Sequence, residues 1–136
     1  MFLPFPKATL LVASGPSHDP DRKHLFVLLT HGLGEQEEVL LVSLCSIVAG
    51  VPHDASCVLQ AGDHPFVKHP TSIRYDKPRY LPREKLLAGV KAGVFAPHDP
   101  VSEDVYDRIC AGLLASPFAT PKDQAFLRWH QHLAEN

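Results

Sequence analysis

The chain has 136 residues, 45% of them hydrophobic and 21% charged, with a formal net charge of −2. This length and balance describe one domain with a core of its own and exclude a disordered or low-complexity chain. The slightly acidic total excludes nucleic-acid binding by overall charge, so any such site has to be a local basic patch.

Three apolar runs open the chain. Ala8–Ala13, His24–Thr30 and Val39–Ile47 are rich in β-branched and large apolar residues, are bounded by Gly, Pro, Asp or Ser, and predict strands. The MFLPFPKATLLVASG that contains the first is interrupted by two prolines and is too short for a membrane span or a signal segment. Between the first two runs, SGPSHDPDRK holds two prolines and Gly15 and predicts an exposed, partly basic loop. HGLGEQEE, with two glycines suited to positive φ, predicts a hairpin and hence antiparallel neighbours. In Thr71–Leu81, Ile73 and Tyr75 alternate with Arg74 and Asp76 until Pro78, the pattern of an edge strand with one wet face.

The period then changes. PREKLLAGVKAG places Pro82 at a first helical position, Leu86, Leu87 and Val90 on one face, and Gly93 at the stop. SEDVYDRICAGLL starts with Ser102 as N-cap and Glu103 and Asp104 in the first turn, and repeats Val105, Ile109 and Leu113 at helical spacing. TPKDQAFLRWHQHL uses Thr120, Pro121 and Asp123 in the same way and sets Phe126 and Trp129 three apart. The class is α+β, a small antiparallel β unit over about 8–81 followed by two or three helices over about 82–133, in a single domain 1–136.

Cys45, Cys57 and Cys110 are odd in number and widely spaced, with no C-x-x-C pair, which points to a reducing cytoplasm. Cys45 and Cys110 sit in apolar runs and read as core residues. The segment HDASCVLQAGDHPFVKHP, from His53 to Pro70, carries the residue types zinc prefers in His53, Cys57, His64 and His69. Their spacings match no standard zinc pairing, and turn chemistry accounts for the segment better. Asp54 and Asp63 suit turns closed by side chains, Pro52, Pro65 and Pro70 fix extended backbone, and Cys57–Leu59 reads as a short strand. No cofactor is expected.

The order of these pieces resembles the MazF/PemK/Kid-like toxin family. KHLFVLLT resembles that family's RPALVLS strand, LVSLCS its VxPITS strand and SIRYDKPR its IRTVDKSR, over a stretch from about Ala8 to Leu114. The resemblance implies an SH3-like barrel, a homodimer, metal-independent cleavage of single-stranded RNA and neutralisation by an antitoxin. The family's catalytic arginine falls on Lys23, with Arg22 one place earlier, and its catalytic threonine falls on Cys45, with Ser46 next to it. Arginine suits a phosphorane because its planar fork binds two oxygens, and a hydroxyl or imidazole suits proton transfer. His24, His64, Lys68, His69 and Arg74 are the candidate RNA-binding residues, with Phe66, Tyr75 or Tyr80 available to stack on bases. A non-catalytic binding module for protein or nucleic acid, and a small metal-binding protein, are the alternatives.

Overall fold

The computed structural model describes residues 2–15, 17–19, 22–32 and 37–135. Seven strands and three helices follow the order β1 (Thr9–Ala13), β2 (Lys23–Leu28), β3 (Glu38–Ser46), β4 (Val58–Leu59), β5 (Thr71–Ile73), β6 (Arg79–Pro82), α1 (Arg83–Lys91), β7 (Phe95–His98), α2 (Glu103–Ala115) and α3 (Pro121–Glu135). The strands form one antiparallel sheet in the order β4-β5-β3-β2-β1-β7, and β6 lies beside β3 on the edge it shares with β5. Among the described residues no pairing joins the end strands β4 and β7, so the sheet is open where a closed barrel is expected from the sequence. The tip of the predicted hairpin, 33–36, lies outside the described residues, but β2 and β3 pair antiparallel as it requires.

The sheet separates two cores, and strand alternation decides which side chain enters which. Leu25, Val27, Leu40, Val42, Leu44 and Ile73 face α2 and α3, together with Tyr75, Val105, Ile109, Leu113 and Leu127. Leu10, Val12, Phe26, Leu28, Val39 and Leu41 face the other way and are covered by Leu86 of α1. Residues 39–44 of β3 are therefore buried on both sides, which is why that strand reads as a continuous apolar run.

The sequence predicts one edge strand over Thr71–Leu81; the structure divides it. β5 pairs with Leu44–Ser46 and β6 with Glu38–Leu41. Between them the chain leaves the ladder after Arg74, whose N–H still reaches the Ser43 carbonyl at 2.9 Å. Tyr75 turns inward and Pro78 has no N–H to donate, so the five residues 74–78 form a loop that stands up from β3.

The helices follow their caps. The Ser102 hydroxyl accepts from Val105 N–H at 3.2 Å, and Thr120 and Asp123 exchange side-chain and backbone bonds in a capping box. Pro82 is the N-cap of α1 rather than its first residue, and Leu87 is exposed, leaving Leu86 as the buried residue of that helix. Strand β7, inside the part read as helical, is a departure from the sequence reading. Gly93 takes φ +78° after α1, and the Phe95 ring occupies the space a side chain at Gly89 would fill, so the chain can turn back along β1.

Candidate functional site

The loop 74–78 walls a hollow of about 290 Å³ on the α1 side of the sheet, lined by Ser14, His24, Phe26, Ser43, Arg74, Lys77, Pro78 and Arg79. Alternation assembles it. His24 and Phe26 share a face of β2; Ser43 lies across from Phe26; Arg79 lies across from Leu41 on the same side. Phe26 is 3% exposed and forms the floor, with the Arg79 guanidinium over its ring at 4.8 Å from the centroid. This contact positions the cation without using any of its N–H donors.

Arg74 is held differently. Its Nε and Nη2 donate to the two carboxylate oxygens of Asp76, each at 2.9 Å, a bidentate clamp that fixes the plane of the guanidinium. Both partners are partly exposed, so the clamp is worth more as geometry than as stability. Among the described residues no ion pair joins Lys77 or Arg79 to a carboxylate. The loop is anchored from beneath by Tyr75, whose hydroxyl donates to the Ile109 carbonyl of α2 at 2.6 Å.

His24 is the titratable centre of the hollow. Its Nδ1 lies 2.8 Å from Ser14 Oγ, which donates its only proton to the Val12 carbonyl at 3.3 Å. In the tautomer whose Nδ1–H donates to Ser14, Nε2 keeps a lone pair. Burial first, then the charges of Arg22, Arg74 and Arg79, hold the imidazole below its ordinary value of 6.5. The neutral imidazole is therefore favoured at pH 7, in a hollow that also holds three cations and two hydroxyls.

The residues put forward from sequence separate on this geometry. His24 and Arg74 line the hollow, and Arg22 is close enough for its charge to act on His24. Cys45 is half-buried and interacts with Arg74, so it stands beside the site rather than in the core as its apolar run suggests. Lys23 and Ser46 are exposed and, by alternation, belong to the opposite face. His64 is 3% exposed, and both ring nitrogens are engaged by backbone. Nδ1 accepts from Phe66 N–H at 3.0 Å and Nε2–H donates to the Asp99 carbonyl at 2.5 Å, so it ties two loops together. Lys68 and His69 are exposed on the chain before β5 and do not line the hollow.

The zinc-type residues do not converge either. His53 is exposed, Cys57 is buried with its thiol pushed up by burial, and no group of three His, Cys, Asp or Glu side chains among the described residues is placed to hold an ion. Asp54 and Asp63 do close turns: Asp54 accepts from Ser56 N–H at 2.8 Å, and Asp63 from Gln60 N–H at 2.8 Å. Ser14, Ser43, Lys77 and Arg79 are site residues that the sequence reading misses. Ser43 carries the one usable signal, a hydroxyl two places from Cys45 on the same face of an otherwise apolar strand.

The fold and site together define an α+β protein with an open antiparallel sheet, three helices and a cationic, histidine-centred hollow. Compared with protein-family models, curated proteins and solved structures, the chain gives no match. No helix among the described residues is long and apolar enough to cross a membrane.

Proposed function

We propose that the protein is a diverged relative of the MazF/PemK-like toxins, a metal-independent endoribonuclease acting on single-stranded RNA at the hollow around His24. The observation that carries this reading is the neutral imidazole facing Arg74, Lys77 and Arg79 in one small cavity. His24 Nε2 takes the proton of a ribose 2′-hydroxyl, O2′ bonds to the adjacent phosphorus, and the bond from phosphorus to O5′ breaks. The Lys77 ammonium is the proton donor for the departing 5′-oxygen. Arg79, with the clamped Arg74, stabilises the charge that grows on the phosphorane oxygens. In this reading Arg79 and Arg74 take the phosphorane-stabilising role that the resemblance assigns to Lys23 or Arg22, His24 supplies proton transfer, and Ser43 and Cys45 border the site in place of Ser46. A cytoplasmic homodimer held in check by an antitoxin belongs to the same proposal.

The test is incubation with a labelled, unstructured RNA in EDTA. Products ending in a 2′,3′-cyclic phosphate are expected, lost in His24→Ala and Arg79→Ala and retained in Ser46→Ala. Intact RNA with a folded protein refutes the nuclease. RNA bound without turnover favours the second reading, a non-catalytic module, for which the departures from the family's residues at Lys23 and Cys45 speak.

A further inference from the structure

Ser14 lines the hollow, yet the proton transfers proposed above give it no part. Its place is set by backbone. Ser14 N–H donates to the Arg22 carbonyl at 2.8 Å, one step beyond the last pair of the β1–β2 ladder, Ala13 with Lys23. The hydroxyl is thereby carried beside the His24 ring, with Oγ 2.8 Å from Nδ1 and 3.3 Å from the Val12 carbonyl.

The chemistry of the ring turns on where the single hydroxyl proton goes. Directed at the Val12 carbonyl, it leaves Oγ free to accept from Nδ1–H, and Nε2 keeps its lone pair. Directed at Nδ1 instead, it would put the hydrogen of the neutral ring on Nε2, with no lone pair left to take a proton. The first arrangement engages the carbonyl, the hydroxyl and Nδ1–H together. It also suits the other groups of the hollow: Arg74, Lys77 and Arg79 carry only donors, which a lone pair on the imidazole complements and a further N–H repeats. The neutrality of the partner matters as well. A carboxylate in the seat of Ser14 would orient the ring but favour its charged form, whereas a hydroxyl orients it without adding charge.

We infer that Ser14 is a positioning residue that holds His24 in its Nδ1–H tautomer, making Nε2 the ring atom able to accept a proton. The use of that atom in catalysis rests on the RNA site proposed at His24; the tautomer itself does not.

The experiment is nitrogen–proton correlation NMR of the imidazole rings in the full chain at about pH 8, where an ordinary imidazole is neutral. The His24 signals are identified by their loss in His24→Asn. Two other histidines serve as references. His64 accepts the Phe66 N–H at Nδ1, which fixes it as the Nε2–H form. His130 Nδ1 lies 2.9 Å from the Phe126 carbonyl, which can only accept, and this fixes the Nδ1–H form. His24 is expected to match His130 in the parent and in Ser14→Thr, and to move toward the pattern of His64 in Ser14→Ala. On unstructured RNA, Ser14→Ala should lower kcat about tenfold with KM within about threefold of the parent, and Ser14→Thr should restore it. A His24 pattern like that of His64 in the parent, or one that Ser14→Ala leaves unchanged, overturns the inference. The expected tautomers in a protein that leaves RNA intact uphold the inference and refute the nuclease. The expected tautomers with Ser14→Ala cleaving at the parent rate uphold it and refute His24 as the base.

Discussion

Gly112 to alanine tests the anchoring of the cationic loop from the far side of the sheet. A Cβ at Gly112 would meet the Tyr75 hydroxyl oxygen at 2.3 Å and Cys57 Cβ at 2.8 Å, and neither atom is the end of a flexible chain. The Tyr75 ring is fully enclosed, and its hydroxyl bond to Ile109 is lost if it moves. Overpacking costs about 2 kcal/mol, and the unpaired hydroxyl and carbonyl about 2 more, while alanine's better helix propensity returns about 1. A net loss of about 3 kcal/mol follows, which for a chain of this size lowers the melting temperature by about 10 °C. Urea and thermal unfolding measure it. Tyr75→Phe in the same background removes the clashing oxygen, so the double variant is expected to be more stable than the two single losses added together. Because Tyr75 stands between Arg74 and Asp76, Gly112→Ala should also weaken phosphate-oligomer binding under conditions where the variant is folded. A variant within about 0.5 kcal/mol of the parent would refute the packing argument, since this lies inside the range of ordinary surface substitutions.

Loss of His24 to asparagine should lower RNA cleavage by about 10²–10⁴-fold, the usual worth of a general base, with oligomer affinity changed far less. In the parent, kcat/KM against pH should show an acid limb with its midpoint below 6.5, because the folded imidazole has to lose its proton to act; a midpoint at or above 6.5 contradicts the cationic wall. Folding stability should fall on acidification. Against the opposing cost of burial, hydrogen bonds from Ser116 and Ser56 lower Asp54; the Gln60 N–H and then Arg108 lower Asp63; and Arg74 lowers Asp76. These carboxyls hold their contribution above their ordinary value of 3.8 and lose it as pH falls through their depressed folded values, which urea titrations between about pH 2 and 5 follow. A thiol reagent should label Cys45 quickly in the native protein and the other two cysteines only on unfolding, since burial pushes Cys57 up and Cys110 up to about 11. Rapid native labelling of Cys110 would contradict its place in the core.

The elements that periodicity and caps define on their own were legible. β1, β2 and β3 lie within one or two residues of their apolar runs, and Ser102, Thr120 and Asp123 cap the helices they were expected to cap. What escaped was set by partners far along the chain. β7 is short, mostly exposed and interrupted by Pro97, and it exists because the Gly93 turn brings it back to β1. The break at Arg74–Pro78 depends on Tyr75 finding Ile109, thirty-four residues away, a preference no local pattern carries. Trp129 shows the converse: helical spacing paired it with Phe126, yet it is 49% exposed, because the hydrophobic side chain that α3 buries in the core is Leu127.

The site was half legible because sequence supplies residue types and only sheet register supplies faces. Phe26 lies across from Ser43, Val27 from Val42 and Leu28 from Leu41. Beyond that ladder, alternation along each strand puts His24 and Cys45 on the face of Phe26 and Ser43, and Lys23 and Ser46 on the other. The resemblance places its catalytic pair on Lys23 and Cys45, and in this sheet those two residues project to opposite sides. A one-residue shift restores a common face, and it can be made in two ways. Lys23 with Ser46 gives an exposed pair outside the hollow. His24 with Cys45 gives a pair beside Ser43, Arg74 and Arg79, in the hollow that Lys77 also lines. The strand faces therefore favour the His24 imidazole over the Lys23 ammonium as the group that β2 turns toward the hollow. Exchanging the two neighbours, Lys23→His with His24→Lys, isolates that choice: composition and net charge are kept, the face is swapped, and cleavage should be lost. Cleavage that survived the exchange would mean that the reacting group is not fixed by the face of β2 on which it lies.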